Sequence, residues 1–151
     1  MNLIMRAADL ETDALSIMDG AKNFISRMDY TEFLPETEEG LAESVGFILA
    51  LPGFECWLAE QEEIVGGIGI LFSPPLWNRR IMGMTELFIW AAPHAPKTTF
   101  LKLLNKAEER KREMGATYRE YVKLTSSPDG LERIYERMGL RKVQESWVGT
   151  D

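Results

Sequence analysis

Residues 85–110, TELFIWAAPHAPKTTFLKLLNKAEER, decide how the rest of the chain is read. The opening TELFIWA is apolar and aromatic, which predicts a strand over residues 85–91. Phe100, Leu103, Leu104 and Ala107 then recur at i, i+3, i+4 and i+7, the apolar face of a helix. Pro96 suits the first helical turn, where a missing N–H is harmless, and Gly115 supplies the stop. A strand, a short turn and a helix in this order aim unpaired N–H groups at an anion. The turn nevertheless contains no glycine, the residue that lets a ligand approach the backbone most closely.

Working outward, residues 3–6 form a short strand candidate. Ala14, Ile17, Met18, Ala21, Ile25 and Met28 follow Asp9 at helical spacing. Thr37 and the acidic residues after it open a second helix carrying Leu41, Val45, Ile48 and Leu49. FECWLAE (54–60), the turn QEE (61–63) and IVGGIGILF (64–72) read as a hairpin stopped by Pro74 and Pro75. Beyond the decisive stretch, residues 118–125 predict a strand. Ser127 as cap and Pro128 at the first helical position then open a helix with Leu131, Ile134, Tyr135 and Met138 on one face, ending at Gly139. Residues 140–148 predict a closing strand or strand pair. The expected class is α+β, a single domain over residues 1–151, with a mixed, mostly antiparallel sheet flanked by about four helices.

A chain of 151 residues buries roughly 70% of its unfolded surface and needs no disulfide or metal staple. The single cysteine, Cys56, lies among apolar and aromatic neighbours and reads as a packed thiol. With one His and one Cys there is no metal-ligand spacing, and a His94–Cys56 nucleophile pair lacks an orienting partner. GGIG is followed by strand, not helix, so it is no dinucleotide fingerprint. A net charge of −7 argues against duplex nucleic acid as partner. The longest apolar run, residues 64–72, is too short to span a bilayer, and the N-terminus turns acidic where a signal peptide would stay apolar. The expectation is a cytoplasmic protein without membrane association; an oligomer is compatible with it. Lys97, Lys102, Lys106, Arg110, Lys111 and Arg112 crowd one helix, while Asp29, Glu32, Glu36, Glu38, Glu39 and Glu43 crowd an early segment. Either both are solvated faces or they separate an anionic cofactor from a cationic substrate.

The element order, with LIMRAADLETDA at the start, WLAEQEEIVGGIGI in the hairpin and ERIYERMGLRKVQESWV at the end, resembles the GNAT superfamily of N-acyltransferases over essentially the whole chain. ELFIW, REMGA and LERIYERMGLRKVQE are also similar to GNAT-like proteins encoded by bacteriophages, for which the host cytoplasm or the virion is the expected location. The resemblance implies transfer of an acetyl group from acetyl-CoA to an amine, without a metal. It aligns APKTTF (95–100) with the turn that grips the pyrophosphate, so Ala95, Lys97, Thr98, Thr99 and Phe100 become cofactor-binding candidates. Ala95 stands where the family has arginine or glutamine, and Thr98 and Phe100 stand where it has small residues. The resemblance further places the backbone of Ile89, Trp90, Ala91 and Ala92 along the pantetheine arm, with Trp90 flanking the groove.

By the same resemblance Glu86 is the general base, near the start of its strand, and Tyr135 is the general acid on the closing helix. Apolar neighbours would raise the carboxylate's pKa toward a useful value. The acidic, aromatic segment MDYTEFLPETEE (28–39) would border the acceptor site, favouring a small cationic amine or a lysine. A second class stays open at this point: a catalytically inactive GNAT-fold binding or structural protein, such as a phage virion or phage–host component.

Overall fold

A computed structural model describes residues 2–28 and 37–147. The elements are β1 (Ile4–Ala7), α1 (Ala14–Ile25), α2 (Glu38–Leu49), β2 (Phe54–Gln61), β3 (Glu63–Ser73), β4 (Gly83–Ala91), α3 (Thr99–Glu113), β5 (Tyr118–Glu120) and α4 (Gly130–Arg137). The five strands form one sheet in the order β1-β2-β3-β4-β5. The first three pairings are antiparallel and the β4–β5 pairing is parallel, so the sheet is mixed, as expected. No helix among the described residues is long and apolar enough to cross a membrane.

Two apolar clusters lie on opposite faces of this sheet. Ile17, Ala21 and Phe24 of α1 and Leu41 and Val45 of α2 pack with Cys56, Leu58, Phe88 and Trp90. Leu103, Leu104 and Ala107 of α3 pack with Ile68, Ile70, Met84 and Ile89, and Ile134 and Tyr135 of α4 lean on that cluster. Met84 and Ile89 share a face although they are an odd number of residues apart. A bulge explains this: Gly69 pairs with Phe88 and Ile70 with Glu86, leaving Leu87 as the extra residue that resets the alternation.

Two local sequence features act as read, and the structure adds a third. Thr37 caps α2 by accepting the Gly40 N–H at 3.0 Å, and Gly115 takes the left-handed φ of 67° that ends α3. The β3 glycines admit aromatic rings: a Cβ at Gly67 would lie 2.1 Å from the Trp90 indole, and one at Gly69 2.5 Å from the Phe88 ring.

Four expectations are corrected. Helix α3 begins at Thr99, so Pro96 precedes it. The Ala95 N–H on the Ala92 carbonyl and the Thr99 N–H on the Pro96 carbonyl make successive turns before the first helical bond from Lys102 to Thr98. Helix α4 begins at Gly130, and Ser127 does not cap it; the Ser127 hydroxyl instead accepts the Leu124 N–H at 3.0 Å. Strand β5 stops at Glu120, short of residue 125, because the main chain beyond it leaves β4. The closing strand is absent from residues 140–147, where Val143 and Trp147 stand exposed. The Leu140 N–H turns back to the Tyr135 carbonyl through Gly139 at φ 80°, and the chain then makes no ladder.

Candidate active site

The site follows from how β4 is paired. Along one edge it is bonded to β3 for its whole length, but along the other β5 reaches only Gly83, Met84 and Thr85. The Ala92 N–H bonds to the Val65 carbonyl of β3. Alternation along the strand therefore points the main-chain groups of Ile89 and Ala91 away from β3, toward the side that β5 has left. Of the four backbone positions expected along the pantetheine arm, Ile89 and Ala91 face this opening. The main-chain groups of Trp90 and the Ala92 N–H face β3, while the Ala92 carbonyl turns to the Ala95 N–H.

Glu86 is the first residue past the β5 pairing. Its side chain is 1% exposed, and its Oε2 accepts the Val122 N–H at 3.1 Å. Among the described residues its Oε1 has no hydrogen-bond partner. Burial pushes its pKa up to about 7, against the opposing pull of the Val122 N–H and the Arg27 cation. Tyr135 on α4 donates its hydroxyl to the Val122 carbonyl at 2.8 Å, and its ring stacks at a tilt on Tyr121, centroids 5.6 Å apart. Burial and then the nearby Glu86 charge hold the Tyr135 hydroxyl above its ordinary range, so it keeps its proton at neutral pH. The two residues thus converge on the two polar groups of Val122.

Arg27, just past the end of α1, borders the same opening. Its Nη2 donates to the Ile89 carbonyl at 2.9 Å, and its guanidinium lies 5.9 Å from the Phe24 ring centre. Its own carbonyl accepts the Ser126 hydroxyl. The end of α1 is in this way tied both to β4 and to the segment beyond β5.

At the turn before α3, Lys97 and Thr98 are exposed. Among the described residues their backbone N–H groups have no protein acceptor, so two donors and one ammonium remain for an anion. Thr99 and Phe100 do not present themselves in this way. Thr99 is fully buried, its methyl over Gly66 and its hydroxyl without a partner among the described residues, and Phe100 and Ala95 pack against the α3-side core. Trp90, expected to flank the groove, is a core residue: it is 6% exposed and its indole rests on Gly20 and Gly67. Two of the α3 cations are also committed. Lys106 and Arg110 lie over the Trp57 ring at 4.9 and 5.8 Å, and Arg110 forms an ion pair with Glu55 at 2.8 Å.

His94 and Cys56 do not meet. His94 pairs with Glu63 at 2.9 Å on the surface, while Cys56 is buried with its thiol pKa pushed up to about 12 by burial. No cluster of three or more His, Cys, Asp or Glu that would hold a metal occurs among the described residues. Most of the acidic segment over residues 28–39 lies outside the described residues. Sequence reading missed Arg27 and Val122. An arginine just past a helix end and a valine in the segment after a short strand carry no signal of their own, and only the end of the β5 pairing gives them a place.

No protein-family model matches the chain, and no curated protein matches it. Solved structures do. The chain is similar to a GCN5-related N-acetyltransferase from Ralstonia eutropha JMP134, with a TM-score of 0.73, 17% identity and 99% of each chain covered. It is similar to a transcriptional regulator from Bacillus halodurans C-125, with a TM-score of 0.73, 20% identity, and 99% of this chain and 100% of that one covered. A predicted acetyltransferase from Clostridium acetobutylicum, solved with acetyl-CoA, gives a TM-score of 0.68 at 16% identity, covering 99% and 96%. With a mixed five-stranded sheet and four helices among its described residues, and β4 parted from β5, the chain has the fold of the GCN5-related N-acetyltransferases.

Proposed function

We propose that the protein is an N-acetyltransferase that moves an acetyl group from acetyl-CoA to an amine. The observation that carries this reading is the convergence of Glu86 and Tyr135 on Val122, where β4 parts from β5. Glu86, with a pKa about 7, is suited to take a proton from an ammonium-derived amine as it attacks. Tyr135, protonated at neutral pH, is suited to return a proton to the departing thiolate. The thioester supplies the activated acetyl group. The outward-facing main chain of Ala91 and the Ile89 N–H offer it a strand-like edge, the Ile89 carbonyl being held by Arg27, and Lys97 with the Lys97 and Thr98 N–H groups offers the pyrophosphate a seat. The residues present therefore fit acetyl-CoA, with fewer donors at the turn than a glycine-rich sequence would present.

Binding is the first test. Acetyl-CoA at about 100 times its dissociation constant stabilises the native state by roughly 2.7 kcal/mol, a rise of about 5–10 °C in melting temperature for a domain of this size. Lys97→Glu places like charge at the seat and should shrink that rise. A melting curve unmoved by millimolar acetyl-CoA and CoA would end the acetyltransferase reading and leave a GNAT-fold scaffold.

A further inference from the structure

Tyr135 stands on a helix that the core grips lightly. Leu131 is the one buried residue of α4, while Ile134, Tyr135 and Met138 are half-buried against the α3-side core. Two side chains from outside α4 orient it, and both lead to Glu108 of α3. Arg119 of β5 donates through Nη2 to the Met138 carbonyl at the C-terminal end of α4, where a cation complements the free carbonyl and the helix dipole. Tyr121 stacks on the Tyr135 ring, centroids 5.6 Å apart. Glu108 Oε1 lies 2.8 Å from Arg119 Nε in an ion pair and accepts the Tyr121 hydroxyl at 3.0 Å. Burial and then the Glu108 charge hold that hydroxyl above its ordinary range, so it stays a donor at neutral pH. One carboxylate oxygen thus sets both the guanidinium that caps α4 and the ring on which Tyr135 rests.

Glu108 also belongs to the helix whose start offers the pyrophosphate its seat. Thr98 and Glu108 stand about 15 Å apart at 1.5 Å rise per residue, and the buried Leu103, Leu104 and Ala107 between them hold α3 to the sheet. On the acetyltransferase reading, on which this inference rests, the departing sulfur must come within hydrogen-bond distance of the Tyr135 hydroxyl. There the O–H bond breaks, an S–H bond forms, and the phenolate is reprotonated from water. We infer that Glu108 is a positioning residue for this proton transfer. Through Arg119 and Tyr121 it fixes α4, and with it the Tyr135 hydroxyl, relative to the helix that seats the cofactor. Glu108 touches no reacting atom itself; its effect is on geometry, where a displacement of about 1 Å costs up to about 100-fold in rate.

The test is a double-mutant cycle on kcat for thiol release from acetyl-CoA, read with water alone, with spermidine and with lysine, since a thiolate departs whichever acceptor attacks. Glu108→Ala should lower kcat by about 10- to 100-fold and leave the KM for acetyl-CoA within about twofold. The same change made in Tyr135→Phe, where no hydroxyl remains to be placed, should lower kcat by less than about twofold. Tyr121→Phe keeps the ring and deletes its bond to Glu108. It should give a smaller loss that also vanishes in Tyr135→Phe, and it serves where Glu108→Ala does not fold. Equal losses in the two backgrounds, an unchanged kcat in Glu108→Ala, or a loss carried by KM alone would each overturn the inference. A melting shift with acetyl-CoA but no thiol release overturns this inference alone; no shift overturns the acetyltransferase reading with it.

Discussion

Glu86 is a carboxylate that the fold holds at the cost of its own stability. Its folded pKa of about 7 exceeds the ordinary carboxylate value of 4.5, so between those values the folded state binds more protons than the unfolded state. Its contribution to stability is greatest below pH 4.5 and is lost as pH rises through 7, by roughly 3 kcal/mol in all. Glu86→Gln keeps an acceptor for the Val122 N–H and removes the charge. Chemical denaturation should find it more stable than wild type at pH 8 and near parity at pH 5. The same variant should lower acetyl transfer by about 100-fold or more at neutral pH, while wild-type kcat/KM climbs with pH and levels off above about 7. Full turnover in the variant would remove Glu86 from the chemistry. Tyr135→Phe deletes one hydroxyl from a ring that stays packed on Tyr121. It should cost about 1 kcal/mol of stability but about 100-fold in rate; an unchanged rate would leave Tyr135 a structural role. Both positions were picked out through a resemblance to a family, since each stands in a recognisable segment; that they meet at Val122 is visible only in the fold. Arg27 was not legible, because its bond to the Ile89 carbonyl depends on where the end of α1 comes to rest against β4.

The elements most legible in the sequence are those with their own periodicity. Helices α1, α2 and α3 and the β2–β3 hairpin follow apolar spacing and turn residues that act locally. The end of the chain was misread for the complementary reason. Val143 and Trp147 give residues 140–147 a strand-like look, but a strand needs a neighbour to bond, and β5 offers only three residues. The start of α3 was displaced because APKTTF holds two consecutive turns, which hydrophobic spacing does not register. Replacing Val143 and Trp147 together by serine should change stability by less than about 0.5 kcal/mol each, the scale of exposed positions away from special features. A fall in melting temperature of ten degrees or more would mean that this segment is paired in solution.

At the scale of the whole molecule the sheet divides two cores, and clasps join them to their helices. Trp57 on β2 is covered by Lys106 and Arg110 of α3, so an apolar ring and an ion pair to Glu55 together fix that helix to the sheet. Arg110→Ala therefore removes packing as well as charge. It leaves Glu55 half-buried without its cation, and should destabilise by about 1–3 kcal/mol by thermal or urea unfolding. On the other face, a Cβ at Gly20 would lie 2.4 Å from the Trp90 indole, and one at Gly67 2.1 Å from it. The ring thus occupies volume that two other positions in the chain would need for any side chain. The order in which mutations arrive then matters. Gly20→Ala or Gly67→Ala arriving first meets a filled site, whereas Trp90→Leu arriving first opens room that either alanine can later occupy. Descendants of this chain that carry a smaller residue at 90 should be the ones that have shed the glycines, and a laboratory lineage allowed to drift would be expected to pass through the same door.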